Sequence, residues 1–316
     1  NIYGIVITVT ILFHFSEMVF VTGAPSLIMN SGGIANYVSG TGTTQLTFTY
    51  TVGPGDSASD LDALSMTAGI SVRDLADNDA NLSIPPNGGV SDRLAENHNI
   101  AIDTVVPYIT NIDRNPSADI TLGIGNFSEY IVTFSENIYI SGIPTITLDS
   151  GATLTMFATS TNTVTFQYTV VEGENSLDLN VLSMTAGTFI KDIAVNDANL
   201  AMPLATNLAN NRNIVIDGTR PTITKIDSST GNGFYTVGQD IFIQATFSEV
   251  VNITGPIRLA LNAGAGAYAN YDSGSGSNIL VFKYTVVGGE GANPLTVSAN
   301  IDLHGGTVRD VFLNDV

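Results

Sequence analysis

Three stretches of the chain alternate apolar and polar residues with a period of two: Leu46-Thr47-Phe48-Thr49-Tyr50-Thr51-Val52, Val164-Thr165-Phe166-Gln167-Tyr168-Thr169-Val170 and Leu280-Val281-Phe282-Lys283-Tyr284-Thr285-Val286. Successive side chains of a strand point to opposite faces, so Phe and Tyr share one face while Thr, Gln or Lys line the other. Each stretch is predicted as a half-buried strand. Around each lies the same succession of shorter patterns. An opening strand follows a proline (Pro107-Tyr108-Ile109-Thr110-Asn111-Ile112-Asp113; Pro221-Thr222-Ile223-Thr224-Lys225-Ile226-Asp227). Next comes a strand ending in Phe-Ser-Glu, at Phe15-Ser16-Glu17, Phe134-Ser135-Glu136 and Phe247-Ser248-Glu249. Then follow a Gly turn, a proline and an alternating strand such as Pro144-Thr145-Ile146-Thr147-Leu148, before the aromatic strand itself. An acidic loop, an Asp/Asn turn and a closing strand (Asn99-Ile100-Ala101-Ile102-Asp103; Asn213-Ile214-Val215-Ile216-Asp217) complete the unit.

The succession repeats at a fixed period. Phe189-Ile190-Lys191-Asp192-Ile193-Ala194-Val195-Asn196-Asp197-Ala198-Asn199-Leu200 has near copies beginning at Ser71 and Thr307, and its first Asp recurs at 74, 192 and 310. The spacings 192−74 and 310−192 are both 118. Self-similarity at such a period defines a tandem array, and a unit of about 115 residues is large enough to bury its own core. The predicted units are 1–106, 107–220 and 221–316, the first lacking its opening strand and the third its closing strand. Asn1 to Phe15 is apolar, yet it carries no Lys or Arg, is too short for a bilayer helix and aligns with the later Phe-Ser-Glu strands, so it reads as a strand and not as a leader or membrane span. About seven short strands per unit, with turn signals between them and no amphipathic helical window, predict an all-β fold: a tandem array of antiparallel Ig-like β-sandwich domains. Short junctions holding proline restrict swinging between units.

Composition narrows the function. With 29 acidic and 10 basic residues the formal charge is −19, which excludes the basic footprint of a nucleic-acid binder and disfavours anionic lipid surfaces. There is no Cys, hence no disulfide or thiolate metal site. Acidity then serves solubility or supplies oxygen ligands to a hard cation. The candidate ligands are the acids and amides that recur in register: Glu17, Glu136 and Glu249; Asp74, Asp192 and Asp310; Asn78, Asn196 and Asn314; Asp79, Asp197 and Asp315; and the junction residues Asp103 and Asp217. A junction Asp sits at the pole of one unit beside the start of the next, where calcium could neutralise converging carboxylates and fix the two units. The alternative is that turn Asp and Asn cap their own backbone and the Glu is solvated.

Catalysis has little support. His14, His98 and His304 occupy unrelated places in the repeat, and no Gly-x-Ser-x-Gly, His-Glu-x-x-His or phosphate-cradling pattern is present. Tyr37, Tyr268 and Tyr271 could stack on sugars, though cross-strand packing is the commoner fate of such residues.

The combination of Phe-Ser-Glu with a following Val-x-Val-Thr-Gly-x-Pro (Phe15 to Pro25), the Phe-x-Tyr-Thr-Val strand, the Asp-x-x-x-Asn-Asp-Ala turn and the Ile-Asp-x-x-x-Pro junction resembles bacterial Ig-like repeats. The resemblance runs through all three units. It implies an extracellular, often calcium-dependent array in a large secreted or surface-anchored adhesin. This chain departs from the family's Ala-Gly-Asn turn: Asp77, Val195 and Leu313 stand before the Asn, and Gly's easy access to positive φ is lost. The expectation is a non-enzymatic stalk whose partners are its neighbouring repeats, with surface glycans or proteins engaged through other domains and no membrane insertion. A filament or surface-layer subunit of identical chains completed by strand addition, and a carbohydrate-binding module array, are the rival expectations.

Overall fold

The computed structural model describes residues 1–86 and 92–316. It is nearly all β, with antiparallel sheets and two single helical turns, Leu94–Asn97 and Leu208–Asn211, each just ahead of a closing strand. No helix among the described residues is long and apolar enough to cross a membrane.

The aromatic strands are central in each unit. Thr43–Thr51, Thr163–Thr169 and Ser277–Thr285 each pair antiparallel with the strand that leads to Phe-Ser-Glu: Thr8–Thr22, Phe127–Phe134 and Asp240–Thr254. The registers Ile11↔Phe48, Tyr130↔Phe166 and Ile243↔Phe282 place large apolar partners opposite one another on the inner face. Phe48, Tyr50, Phe166 and Phe282 are fully buried and Tyr168 and Tyr284 nearly so, while the intervening Thr, Gln and Lys are half-buried or exposed. The alternation thus sets the inner face, and burying each such side chain contributes about 1.5–3 kcal/mol. Buried apolar residues gather into three clusters, spanning 9–102, 109–216 and 243–308.

The sheets curl at Phe-Ser-Glu. In the 15-residue strands Thr8–Thr22 and Asp240–Thr254 the pairing with the aromatic strand breaks register between His14 and Val19 and between Thr246 and Val251. Beyond the break the strand takes a new partner, the start of the Asp/Asn turn: Phe20–Thr22 on Ser71–Arg73 and Asn252–Thr254 on Thr307–Arg309. In unit 2 the strand is interrupted there and resumes as Tyr139–Ser141, which pairs with Phe189–Lys191. Each Glu of Phe-Ser-Glu therefore sits at a bend, at the end of the long ladder. Closing strands pair in parallel with short strands near the start of their unit, Ala101–Ile102 with Ile2–Tyr3 and Ile214–Asp217 with Ile120–Gly123. The apolar beginning of the chain is accordingly two strands, Ile2–Tyr3 and Thr8–Thr22, separated by a turn over residues 4–7 in which Val6 has φ 65°.

Candidate metal centre

The Asp/Asn turn is built by its own side chains. Asp192 Oδ1 accepts from the Asn196 backbone N–H and Asp192 Oδ2 from Asn196 Nδ2, both at 2.8 Å. The Asp310–Asn314 turn repeats both bonds, at 2.9 and 2.8 Å, and Asp310 also takes the Phe312 N–H at 2.7 Å. The residue before each Asn takes positive φ: Asp77 at 70°, Val195 at 73° and Leu313 at 71°. The left-handed region costs an L-residue about 1–2 kcal/mol. The hydrogen bonds to Asp hold that conformation.

The same Asn side chains cross the junctions. Asn196 Nδ2 donates to the Asp103 carbonyl at 2.9 Å and Asn196 Oδ1 accepts the Ile5 N–H at 3.1 Å. Asn314 Nδ2 donates to the carbonyls of Asp217 and Thr219, at 2.9 and 3.1 Å, and its Oδ1 accepts the Ile124 N–H at 2.6 Å. The backbones approach closely here: a Cβ on Gly123 would lie 2.3 Å from the Phe312 carbonyl oxygen, and one on Gly4 2.3 Å from that of Ala194. Only glycine fits. Asn196 and Asn314 are thus engaged on both ends of the amide as hydrogen-bonding groups.

Holding the closing-strand ends in this way carries their carboxylates to the next unit. Asp103, Glu136 and Asp192 bring one carboxylate oxygen each within 4.8 Å of the others, and Asp217, Glu249 and Asp310 do the same. Asp192 and Asp310 are buried and the other four half-buried. None of these six carboxylates forms an ion pair with Lys, Arg or His among the described residues. Burial, then the charges of Asp192 and Asp103, push the Glu136 carboxyl above its ordinary range. Glu249 is raised by burial and then by Asp217 and Asp310. At this separation each like-charge pair costs about 3 kcal/mol at an effective dielectric of about 20, more than a typical net hydrogen bond of about 1 kcal/mol. The donor set is all oxygen and carries three negative charges, which suits a hard divalent cation and offers nothing to a soft one.

The other candidate ligands lie elsewhere. Asp79, Asp197 and Asp315 turn outward onto Arg73, Lys191 and Arg309 at 2.8, 2.9 and 2.6 Å. Glu17 is exposed; Asp74 is bound by Asn78, whose side chain lowers its carboxyl pKa. No triad forms around Glu17 and Asp74 among the described residues. Tyr37 and Tyr271 pack edge-on against Phe48 and Phe282, and Tyr268 stacks under the Arg258 guanidinium at 3.8 Å.

One recurring polar pair escaped the sequence reading. Tyr50, Tyr168 and Tyr284 each donate a hydroxyl to an acid six residues on, Asp56, Glu174 and Glu290, at 2.7, 2.9 and 2.7 Å. The acid also accepts a backbone N–H of the loop, from Gly53, Val171 and Val287. Burial is the chief cause of the raised tyrosine pKa in all three, to about 12 for Tyr50 and Tyr284. The recurrent six-residue spacing was the available signal.

No protein-family model matches the chain, and no curated protein sequence matches it. Solved structures similar to it include two from bacterial adhesins. One is a Ca2+-stabilized adhesin that helps an Antarctic bacterium reach out and bind ice, at 12% identity and a TM-score of 0.37 over 90% of this chain. The chain spans 63% of that structure. The other gives structural insight into host cell surface retention of a 1.5-MDa bacterial ice-binding adhesin, at 15% identity and a TM-score of 0.35, the match covering 100% of this chain and 90% of the chain in that structure.

Proposed function

We propose that this chain is a non-enzymatic extender segment of a large extracellular bacterial adhesin or fibre. Its Ig-like sandwich units are arranged in tandem, and calcium fixes each junction. One observation carries the reading: two junctions 114 residues apart (217−103) each gather three carboxylates, one from the unit behind and two from the unit ahead, none of them ion-paired among the described residues. A calcium ion takes six to eight oxygens at about 2.3–2.6 Å. The three carboxylates supply three of these, or more where both oxygens bind, and water or main-chain carbonyls the rest. Because the ligands come from both units, the ion couples their orientation, and a stalk held in one shape keeps a distal binding domain away from the cell surface. Affinity suited to an extracellular module is about 10⁻⁴–10⁻³ M.

Isothermal titration calorimetry of the chain with calcium tests this. The proposal expects two sites of similar affinity, one lost in Asp103→Asn and both lost in Asp103→Asn/Asp217→Asn. No heat, or unchanged stoichiometry in the double variant, contradicts it.

A further inference from the structure

The two junctions share their Asn clamp and their carboxylates, yet they differ in the linker between units. Three residues after the junction Asp, position 106 is Val and position 220 is Arg. The Arg220 guanidinium reaches to both sides. Its Nε donates to Glu172 Oε2 at 3.2 Å, in the loop that follows the aromatic strand of unit 2. Its Nη1 donates to the Asp315 main-chain carbonyl at 3.0 Å, in the Asp/Asn turn of unit 3. An exposed ion pair alone contributes little. A planar fork that grips a carboxylate of one unit and a carbonyl of the next fixes distance and direction together.

The first junction lacks both side chains of this bridge. Val106 offers no donor, and Pro54 stands where Glu172 does, two residues past Val52 as Glu172 is past Val170. A cleft of about 400 Å³ lies there instead, lined by Ile5, Val6 and Ile7 of unit 1 together with Val106, Ala194 and Val195. The clamp is also looser. Asn196 Oδ1 accepts the Ile5 N–H at 3.1 Å and Asn196 Nδ2 lies 3.5 Å from the Val105 carbonyl. The matching bonds of Asn314, to Ile124 and Thr219, are 2.6 and 3.1 Å. The loop that Asn196 grips holds Val6 at φ 65°, where the loop gripped by Asn314 has Gly125 at 81°. A β-branched residue is strained there and glycine is not. Segments held by few packed contacts open first.

We propose that the two junctions are mechanically unequal: Arg220 is a strut that holds units 2 and 3 without a cation, and the valine-lined junction between units 1 and 2 is the hinge. Calcium then changes the shape of the chain chiefly at the first junction. The response to calcium depends on the cation proposed for these clusters; the strut does not.

The chain has no Cys, so nitroxide labels can be placed singly on introduced cysteines. Asn36, Thr155 and Asn270 are exposed, lie within strands and hold equivalent places in the three units. Double electron–electron resonance of the full chain, labelled at 36/155 or at 155/270, in EDTA and then in millimolar calcium, is the test. Expected in EDTA is a 36–155 distance distribution roughly twice as wide as the 155–270 one, since the joint with fewer cross-links opens more readily. Arg220→Val is expected to widen the 155–270 distribution to match, and Pro54→Glu/Val106→Arg to narrow the 36–155 distribution. Equal widths in EDTA, or an unchanged 155–270 width in Arg220→Val, would overturn the strut and hinge. Narrowing of the 36–155 distribution by calcium supports the cation at the hinge. No narrowing by calcium would remove the cation from the first junction and leave the comparison in EDTA to decide the strut.

Discussion

Asn196 donates through Nδ2 to the main-chain carbonyl of Asp103, 2.9 Å away and 93 residues earlier in the chain. The same nitrogen bonds Asp192 Oδ2, so one amide both closes a turn in unit 2 and clamps the tail of unit 1. The two roles place the Asp103 and Asp192 carboxylates together. Removing a buried side chain that satisfies several polar groups costs about 1–3 kcal/mol. Asn196→Ala is expected to lower stability by that amount in urea unfolding. Asn78→Ala, whose side chain is exposed and bonds only Asp74, is expected to lower it by less than about 1 kcal/mol.

Val195 is a β-branched residue held at φ 73°. Such a conformation costs of order 1–3 kcal/mol, part of which glycine returns through its greater freedom in the unfolded chain. Val195→Gly is therefore expected to raise stability by about 0.5–1 kcal/mol. Its side chain is exposed, so no core contact is lost. A fall in the unfolding midpoint would show that Val195 stabilises the turn in some other way.

Tyr168 ties its loop to the core through Glu174. A hydrogen bond to a charged acceptor contributes about 1.5–3 kcal/mol, and Tyr168→Phe keeps the ring. The expected loss is about 1.5–2 kcal/mol, reported as faster amide exchange over residues 171–176. Tyr50→Phe and Tyr284→Phe are expected to act alike in their own units.

The strands were legible from the chain because alternation reports directly which face is buried, as with Phe166 and Tyr168. So was the recurrence of Glu136, Asp192 and Asp217, since a repeat copies position. Which residues converge was not legible. Asp192 and Asp197 look equally good as ligands in sequence, yet Lys191 draws Asp197 outward while Asn196 turns Asp192 inward. Asn196 was read as a ligand because an amide offers oxygen; the structure engages that oxygen with the Ile5 N–H, a contact 191 residues apart that no local pattern carries.

Glu136 provides a test whose sign reverses with conditions. Its folded pKa is raised, first by burial and then by Asp192 and Asp103, so the folded state holds the proton more tightly than the unfolded one. Its contribution is then present below the ordinary glutamate value and lost as pH rises through the raised value. In EDTA at pH 7, Glu136→Gln is expected to raise the melting temperature and to flatten the fall in stability as pH rises above the ordinary glutamate value. In millimolar calcium the same variant is expected to melt below the parent, because it has lost a ligand. A single sign in both media would contradict a cation at this cluster.

Small-angle X-ray scattering of the full chain, in calcium and then in excess EDTA, with Asp103→Asn/Asp217→Asn alongside, tests the central claim most directly. The account predicts that the parent loses maximum dimension and gains heterogeneity in EDTA, while the double variant shows the EDTA profile in both media. Superimposable parent profiles with and without calcium would contradict it.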